Sequence, residues 1–335
     1  MAVALTPGPP SAPSDDRPRT IVTSVSGGDR IFRFVMRMAG LAVLVITGLI
    51  LVFLVLRSLT AFRAVGFHFF TTSTWFINTN QFGIAAILPL GVLIAVIALI
   101  IAVPVGLATA LFIAEYAPPR LRRTLIAAID LMAAIPSIIV ALFALYFVMP
   151  RILGTTAWLS HHLGFIPFFH NRLPNAPASY VASTFIAGVF GVSVMVIPII
   201  TSLCRQVFTQ APQGEREAAY ALGSTKWGMI RTVVLPYGRA GVIGASMLGL
   251  GRALGETIVV SFLLTPIYFF NWHVLESGGN SVTYMIANRV LDAGSKEISA
   301  LFAAGLILFA MTLVINTIAA IIINRSRSGA TASAD

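Results

Sequence analysis

Six times along its 335 residues the chain runs on with almost no charge, and each run is close to the ~20 residues a helix needs to cross a bilayer. This pattern restricts the fold more than any other feature. The runs cover residues 38–56 between Arg37 and Arg57, a stretch within 82–114 ending at Glu115, 131–150 between Asp130 and Arg151, about 180–204 ending at Arg205, about 241–264, and about 300–323 before Arg325. Backbone groups cannot stay unpaired in lipid, so a spanning segment is a helix or part of a closed barrel. Barrel strands alternate apolar and polar residues, whereas these runs are continuously apolar. The expectation is an all-α polytopic membrane protein with six transmembrane helices. With 10% charged residues, against about 25% in soluble domains, the chain has too little charge to cover a water-facing surface of this size.

The first run is retained, because it is longer than the apolar core of a secretory signal and no small-residue cleavage site follows it. Residues 1–29 are polar and contain Pro and Ser, and they read as a cytoplasmic tail without fixed structure. The organisation expected is that tail, a permease domain over 30–325 with a long loop at 205–239, and a second tail at 326–335. The net charge of +10 does not point to nucleic acid, since the basic residues are dispersed between apolar runs. They set orientation instead. Fifteen Lys and Arg fall on the side of the N-terminus and the 205–239 loop, against six on the other. Both termini are therefore expected in the cytoplasm of a multi-pass cell-membrane protein. Cys204, the lone cysteine, reads as a small apolar residue at a helix end.

Three runs contain proline, at Pro104, Pro136 and Pro198, where kinks would shape a pathway or reflect tolerated irregular packing. The fifth run carries Arg252 and Glu256. Counted as one helix from residue 241, Arg252 stands about 17 Å in, near the midplane. Glu256 at i+4 shares its face, so the two could pair. Intramembrane charge is expensive and usually faces a cavity, which makes the two residues a candidate anion site. The bland alternative is a structural ion pair. Gly241, Gly244, Gly249, Gly251 and Gly255 on the same run suggest close helix approach. His161, His162 and His170 fall among Trp158, Phe165, Phe168 and Phe169 and read as an interfacial aromatic segment. No metal site is expected there, since no acidic or Cys ligand accompanies them.

In the 205–239 loop, residues 215–222 form a good helix with acid in its first turn. Gly223 is a natural stop, Ser224 or Thr225 can cap a second helix, and Pro236 is expected to end that helix near Val234. From composition alone, such a pair could be an amphipathic linker with no partner.

The spacing Glu217-Ala218-Ala219, Gly223, Leu235-Pro236 resembles the cytoplasmic loop of binding-protein-dependent ABC permeases, with Val233 where Ile is usual. In that family the two short helices dock on an ATPase subunit, which implies a coupling role for Glu217, Ala218, Ala219, Gly223, Leu235 and Pro236. Residues 249–257 (GLGRALGET), 112–120, 133–137, 29–33 and 70–75 are similar to the phosphate-specific permeases of the PstC type. The likeness covers about 29–325. It implies the type I ABC importer permease fold and phosphate passage past Arg252 and Glu256. It also implies a PstA-like second permease, a PstB-like ATPase dimer and a PstS-like extracytoplasmic binding protein. The chain has no G-x-x-x-x-G-K-[ST] stretch. It is therefore expected not to be an enzyme and to hold no cofactor, with ATP bound by the partner subunit. The same charges would serve another oxyanion such as sulfate or molybdate, and an ATP-independent transporter is the competing class.

Overall fold

The computed structural model describes residues 27–170, 183–269, 271, 273–276 and 278–331. The tail at 1–26, the start of the fourth run near residue 180 and residues 332–335 lie outside the described residues. Residues 27–29 already belong to the first helix, and the last helix continues past 325.

Six helices among the described residues are long and apolar enough to span a membrane. They are α1 (Gly27–Val65), α2 (Ile87–Tyr116), α4 (Ser137–Leu163), α5 (Ala187–Thr209), α7 (Lys226–Gly255) and the Ser295–Ile323 part of α10 (Ser295–Thr331). Between them stand α3 (Pro119–Ala134), α6 (Gln213–Ala221), α8 (Ile258–Leu263) and α9 (Val282–Arg289). A two-strand hairpin, β1 (Trp75–Phe76) with β2 (Gln81–Phe82), pairs antiparallel with Trp75 opposite Phe82. Asn80 takes up the positive φ of 58° that its tight turn requires.

The chain divides into two units at Ile50 and Leu51. The first is described from Gly27 and is the front half of α1. Its apolar side chains are exposed along the whole length, as suits a helix solvated by lipid.

In the second unit, packing relies on small residues, because lipid removes the hydrophobic drive between helices and leaves close contact as the adhesive. Ala98, Ala102, Gly106 and Ala110 form a buried stripe at four-residue spacing along α2. A methyl at Gly106 would stand 2.9 Å from Ile200 Cγ2 of α5. The main core gathers side chains of α2, α4, α5, α7 and α8. A second cluster joins Ala61, the β-hairpin, the start of α2, α9 and α10.

Three boundaries differ from the sequence reading. The third span begins at Ser137, not 131, because Pro136 disfavours helical backbone at the residue before it. Ile135 is extended there (φ −64°, ψ 126°), and 119–134 form a separate helix that contains Asp130. Pro104 and Pro198 lie inside α2 and α5, whereas Pro136 sits at this break. Pro236 does not end a helix. The backbone passes through a π-helical turn at Ile230–Val234 and continues into Leu235–Gly255. Pro236 falls in the first turn after that π turn, where its missing N–H costs little. Finally, the fifth run is two helices. α7 stops at Gly255, Glu256 is extended (ψ 121°), and α8 restarts at Ile258.

Candidate functional site: a charged cavity at a helix break and a loop at the other end of α7

The break at 255–257 positions the two intramembrane charges. Arg252 occupies the last turn of α7, where unpaired carbonyls and the helix dipole favour a cation. Glu256 stands two residues before the start of α8, and Val259 N–H donates to its Oε1 (3.3 Å). Thr283 Oγ1 of α9 donates to the Glu256 main-chain carbonyl (3.1 Å), fixing the bend. Glu256 is buried and Arg252 is exposed.

The expected i,i+4 pairing does not occur. Arg252 and Glu256 form no ion pair, because the helix that would stack them one turn apart ends between them. The break lies beyond Arg252, which the continuous helix Leu235–Gly255 contains, so it removes the stacking of the two charges and leaves the depth reckoned for Arg252 as it was.

Both residues line a cavity of about 520 Å³ with Ile199, Met247, Leu248, Gly251, Gly255 and Asn316. That size is typical of a small-molecule site. Asn316, on α10, was not anticipated, although a lone amide within the sixth apolar run was a legible signal. A comparable cavity of about 590 Å³, lined by Ala85, Leu88, Pro89, Val92, Leu93, Val96, Phe168 and Met311, offers no charge to an anion.

Of the five glycines singled out on α7, Gly244 would meet only Ile323 Cδ1 at an ordinary 3.7 Å, and the other four divide into two pairs. Methyls at Gly241 and Gly249 would meet Val207 Cγ2 at 2.5 Å and Val196 Cγ1 at 2.8 Å, so these two permit close approach to α5. Gly251 and Gly255 have nothing within 4 Å of that position. They open the cavity instead of packing a neighbour.

The second group of predicted residues lies at the opposite end of α7. Helix α6 ends in a Schellman motif. Gly223 takes φ +81°, its N–H donates to Tyr220 O (2.9 Å), and Ser224 N–H donates to Ala219 O (3.1 Å). Thr225 caps the next helix by accepting from Gly228 N–H (3.1 Å). Glu217 and Ala218 face outward, with Gln213 Nε2 donating to Glu217 Oε1 (2.9 Å). Ala219 and Leu235 pack against the core, and Pro236 is exposed. Between these, Leu222 (88% exposed) and Trp227 (56%) present apolar surface on an otherwise polar loop.

Sequence reasoning missed what anchors the loop. Arg216 pairs with Glu115 at the end of α2 (2.8 Å) and donates to Phe208 O (2.6 Å) and Ala211 O (3.2 Å). Lys226 Nζ stands 4.6 Å from the Tyr116 ring centroid.

The family described as "Binding-protein-dependent transport system inner membrane component" matches residues 102–328, which include both sites. The chain belongs to this family. It is 36% identical over 301 residues to the phosphate transport system permease protein PstC 2 of Mycobacterium tuberculosis, covering 87% of this chain and 90% of the relative. It is 38% identical over 298 residues to the phosphate transport system permease protein PstC of Pasteurella multocida, covering 88% and 91%. Among solved structures it resembles a chain of the inward-facing MetNI methionine ABC transporter, with a TM-score of 0.50 and 15% identity over 71% of this chain and 93% of that one. That likeness concerns the fold alone, which is that of an ABC importer permease.

Proposed function

We propose that this chain is the membrane-spanning permease subunit of an ATP-driven, binding-protein-dependent importer that carries inorganic phosphate into the cytoplasm. The observation that carries the proposal is the cavity at the α7–α8 break, where Arg252 stands free of any ion pair with Glu256. The relatives named for phosphate transport support the same cargo.

The chemistry follows from the two ends of the break. Arg252 presents a planar fork of donors that matches phosphate oxygens. An ionised Glu256 only accepts hydrogen bonds. Hydrogen phosphate carries an O–H to give it, and sulfate carries none. The carboxylate also repels the anion's remaining charge, which favours passage over retention. Asn316 adds a neutral amide that can turn either its donor or its acceptor toward the anion.

Leu248, which lines the cavity, and Ile258 and Phe262 of α8 are exposed. An apolar strip bordering the cavity supports a second, PstA-like permease closing the pathway there. The exposed Tyr220, Leu222 and Trp227 support docking of a PstB-like ATPase on residues 213–236, where apolar anchors in a polar rim are the usual source of affinity. ATP is then hydrolysed by that partner, and a PstS-like protein delivers phosphate at the far side. The Lys and Arg bias supports a cytoplasmic position for both termini.

The test is ATP-dependent uptake of labelled phosphate into vesicles holding this chain and its partner subunits, with excess sulfate as competitor. Wild type should need ATP and ignore sulfate, and Arg252→Gln should assemble but lose uptake. Competition by sulfate would move the cargo to another oxyanion. Uptake without ATP would remove the importer reading altogether.

A further inference from the structure

The contact between Arg216 and Glu115 links segments 101 residues apart at the place where the loop meets the spans. Glu115 lies in a π-helical turn, Phe112–Tyr116, that ends α2. Such turns insert one residue, rotate the side chains that follow, and concentrate at functional sites. The Glu115 side chain is 5% exposed and that of Arg216 20%. Arg216 uses three nitrogens at once: Nη1 on Glu115, Nη2 on Phe208 O and Nε on Ala211 O. It therefore binds the last carbonyls of α5, the connection beyond it, and the end of α2 from a single position on α6. Lys226, at the start of α7, meets the neighbouring Tyr116 ring in cation–π geometry. Both helices of the loop are thus fastened to one turn of α2.

At its other end, α2 reaches the helix break. A methyl at Gly91 would stand 3.3 Å from Ser281 Cβ. Ser281 Oγ lies 3.0 Å from Thr283 Oγ1, and Thr283 gives its hydroxyl hydrogen to the Glu256 carbonyl. A displacement of α2 therefore bears on the residue that bends α7 into α8.

We propose that Glu115 and Arg216 form a permanent joint that makes α6 and the end of α2 one rigid body, so that α2 as well as α7 delivers the motion of the docked ATPase to the charged cavity. The proposal rests on the reading of residues 213–236 as the ATPase-docking segment. Glu115 and Arg216 are positioning residues and touch no substrate. A charge-assisted contact with little exposure keeps its partners together far better than a solvated surface pair does.

The experiment uses the complete transporter in proteoliposomes and reads phosphate taken up per ATP hydrolysed, with co-purification as the check on assembly. Glu115→Gln keeps an acceptor oxygen but removes the charge. It should assemble and hydrolyse ATP at the basal rate while uptake per ATP falls by about tenfold, within the usual range of allosteric couplings. In a Cys204→Ala background, Glu115→Cys with Arg216→Cys, joined by a short reducible thiol crosslinker, should transport near the wild-type ratio and lose coupling when reduced. A wild-type ratio in Glu115→Gln, or a crosslink that blocks uptake until it is reduced, would overturn the joint. Should Glu115→Gln fail to assemble, the crosslinked pair decides: retained uptake supports the joint and lost uptake refutes it. Absence of ATP-dependent uptake in wild type would instead sink the importer reading on which the joint depends.

Discussion

Two glycines ten residues apart on one helix should respond oppositely to the same methyl group. At Gly241 the added carbon would lie 2.5 Å from Val207 Cγ2, 2.7 Å from Cγ1 and 3.0 Å from Cβ, where carbon atoms prefer about 3.5–4.0 Å. Rotating Val207 gives no relief, because its Cβ is itself too close and its branched side chain has few rotamers. Overpacking of this kind costs about 1–3 kcal/mol, and the worst-placed neighbours argue for the upper end. Against it stands about 1 kcal/mol gained by replacing Gly with Ala inside a helix. Gly241→Ala should therefore destabilise by about 2 kcal/mol. At Gly251 nothing lies within 4 Å, so Gly251→Ala keeps the propensity gain and should be neutral or up to about 1 kcal/mol more stable. The assay is thermal unfolding of the purified transporter in a fixed lipid–detergent mixture. A gap of about 3 kcal/mol corresponds to a separation of several degrees, at ~2–4 °C per kcal/mol for domains of 150–250 residues. Equal melting temperatures would refute the reasoning. If both fall, Gly251 is packed against another backbone and the cavity is no pathway. If neither falls, the approach of α5 to α7 is looser than the structure has it.

Gly223→Ala forces a Cβ into the left-handed region at φ +81°, at a cost of about 1–2 kcal/mol. Because the Schellman turn orients Leu222 and Trp227, the variant should co-purify with less ATPase subunit while keeping the fold of the spans, seen as weaker pull-down with unchanged helical circular dichroism. At the other end, Glu297 accepts from Trp75 Nε1 (3.1 Å) and Arg289 Nη1 (2.8 Å). Burial works against the Arg289 charge, but its hydrogen bonds to Tyr268 and Glu297 outweigh this and raise its pKa, so Arg289 keeps its charge. Glu297→Ala strands the buried indole N–H and should cost about 1–3 kcal/mol, measured as a lower melting temperature that does not depend on pH between 6 and 9.

Much of the architecture was legible because lipid imposes a length and a composition that survive any detail of packing. Among the described residues six spanning helices overlap the six apolar runs, with offsets and a break in the fifth run where local chemistry intervenes. Gly223 and Thr225 were readable because a positive φ and an N-cap each favour particular residue types at one position. The break at Glu256 was not read, since Arg252 and Glu256 fit a helical spacing and no proline marks the stop. The available signs were local: Gly255 favours helix weakly, and 257–260 is a β-branched run (Thr, Ile, Val, Val). Pro236 misled for the opposite reason. Proline stops a helix only where the N–H it lacks would have been needed, and the π turn before it removes that need. Arg216 and Glu115 could not be paired from sequence, because 101 residues separate them and neither has a local pattern that names the other.

The break also changes what kind of site the two charges make. Stacked one turn apart on a continuous helix, Arg252 and Glu256 would satisfy each other, and an arriving anion would have to displace the carboxylate to reach the guanidinium. In the observed geometry the two charges stand at different helix ends: Arg252 in the last turn of α7, and Glu256 ahead of α8, where it accepts from Val259 N–H. Helix-end stabilisation is about 0.3–1 kcal/mol for an exposed charge and up to ~2 kcal/mol for a partly buried one. A charge-assisted hydrogen bond to the carboxylate adds to this for Glu256. Among the described residues the guanidinium makes no ion pair with Glu256 and the carboxylate accepts from Val259 N–H, so the cavity lining holds a cation and an acceptor that do not occupy each other. A closed ion pair would suit a structural staple. A cation and an acceptor that do not occupy each other suit the proposed passage of an oxyanion, which needs weak binding and release.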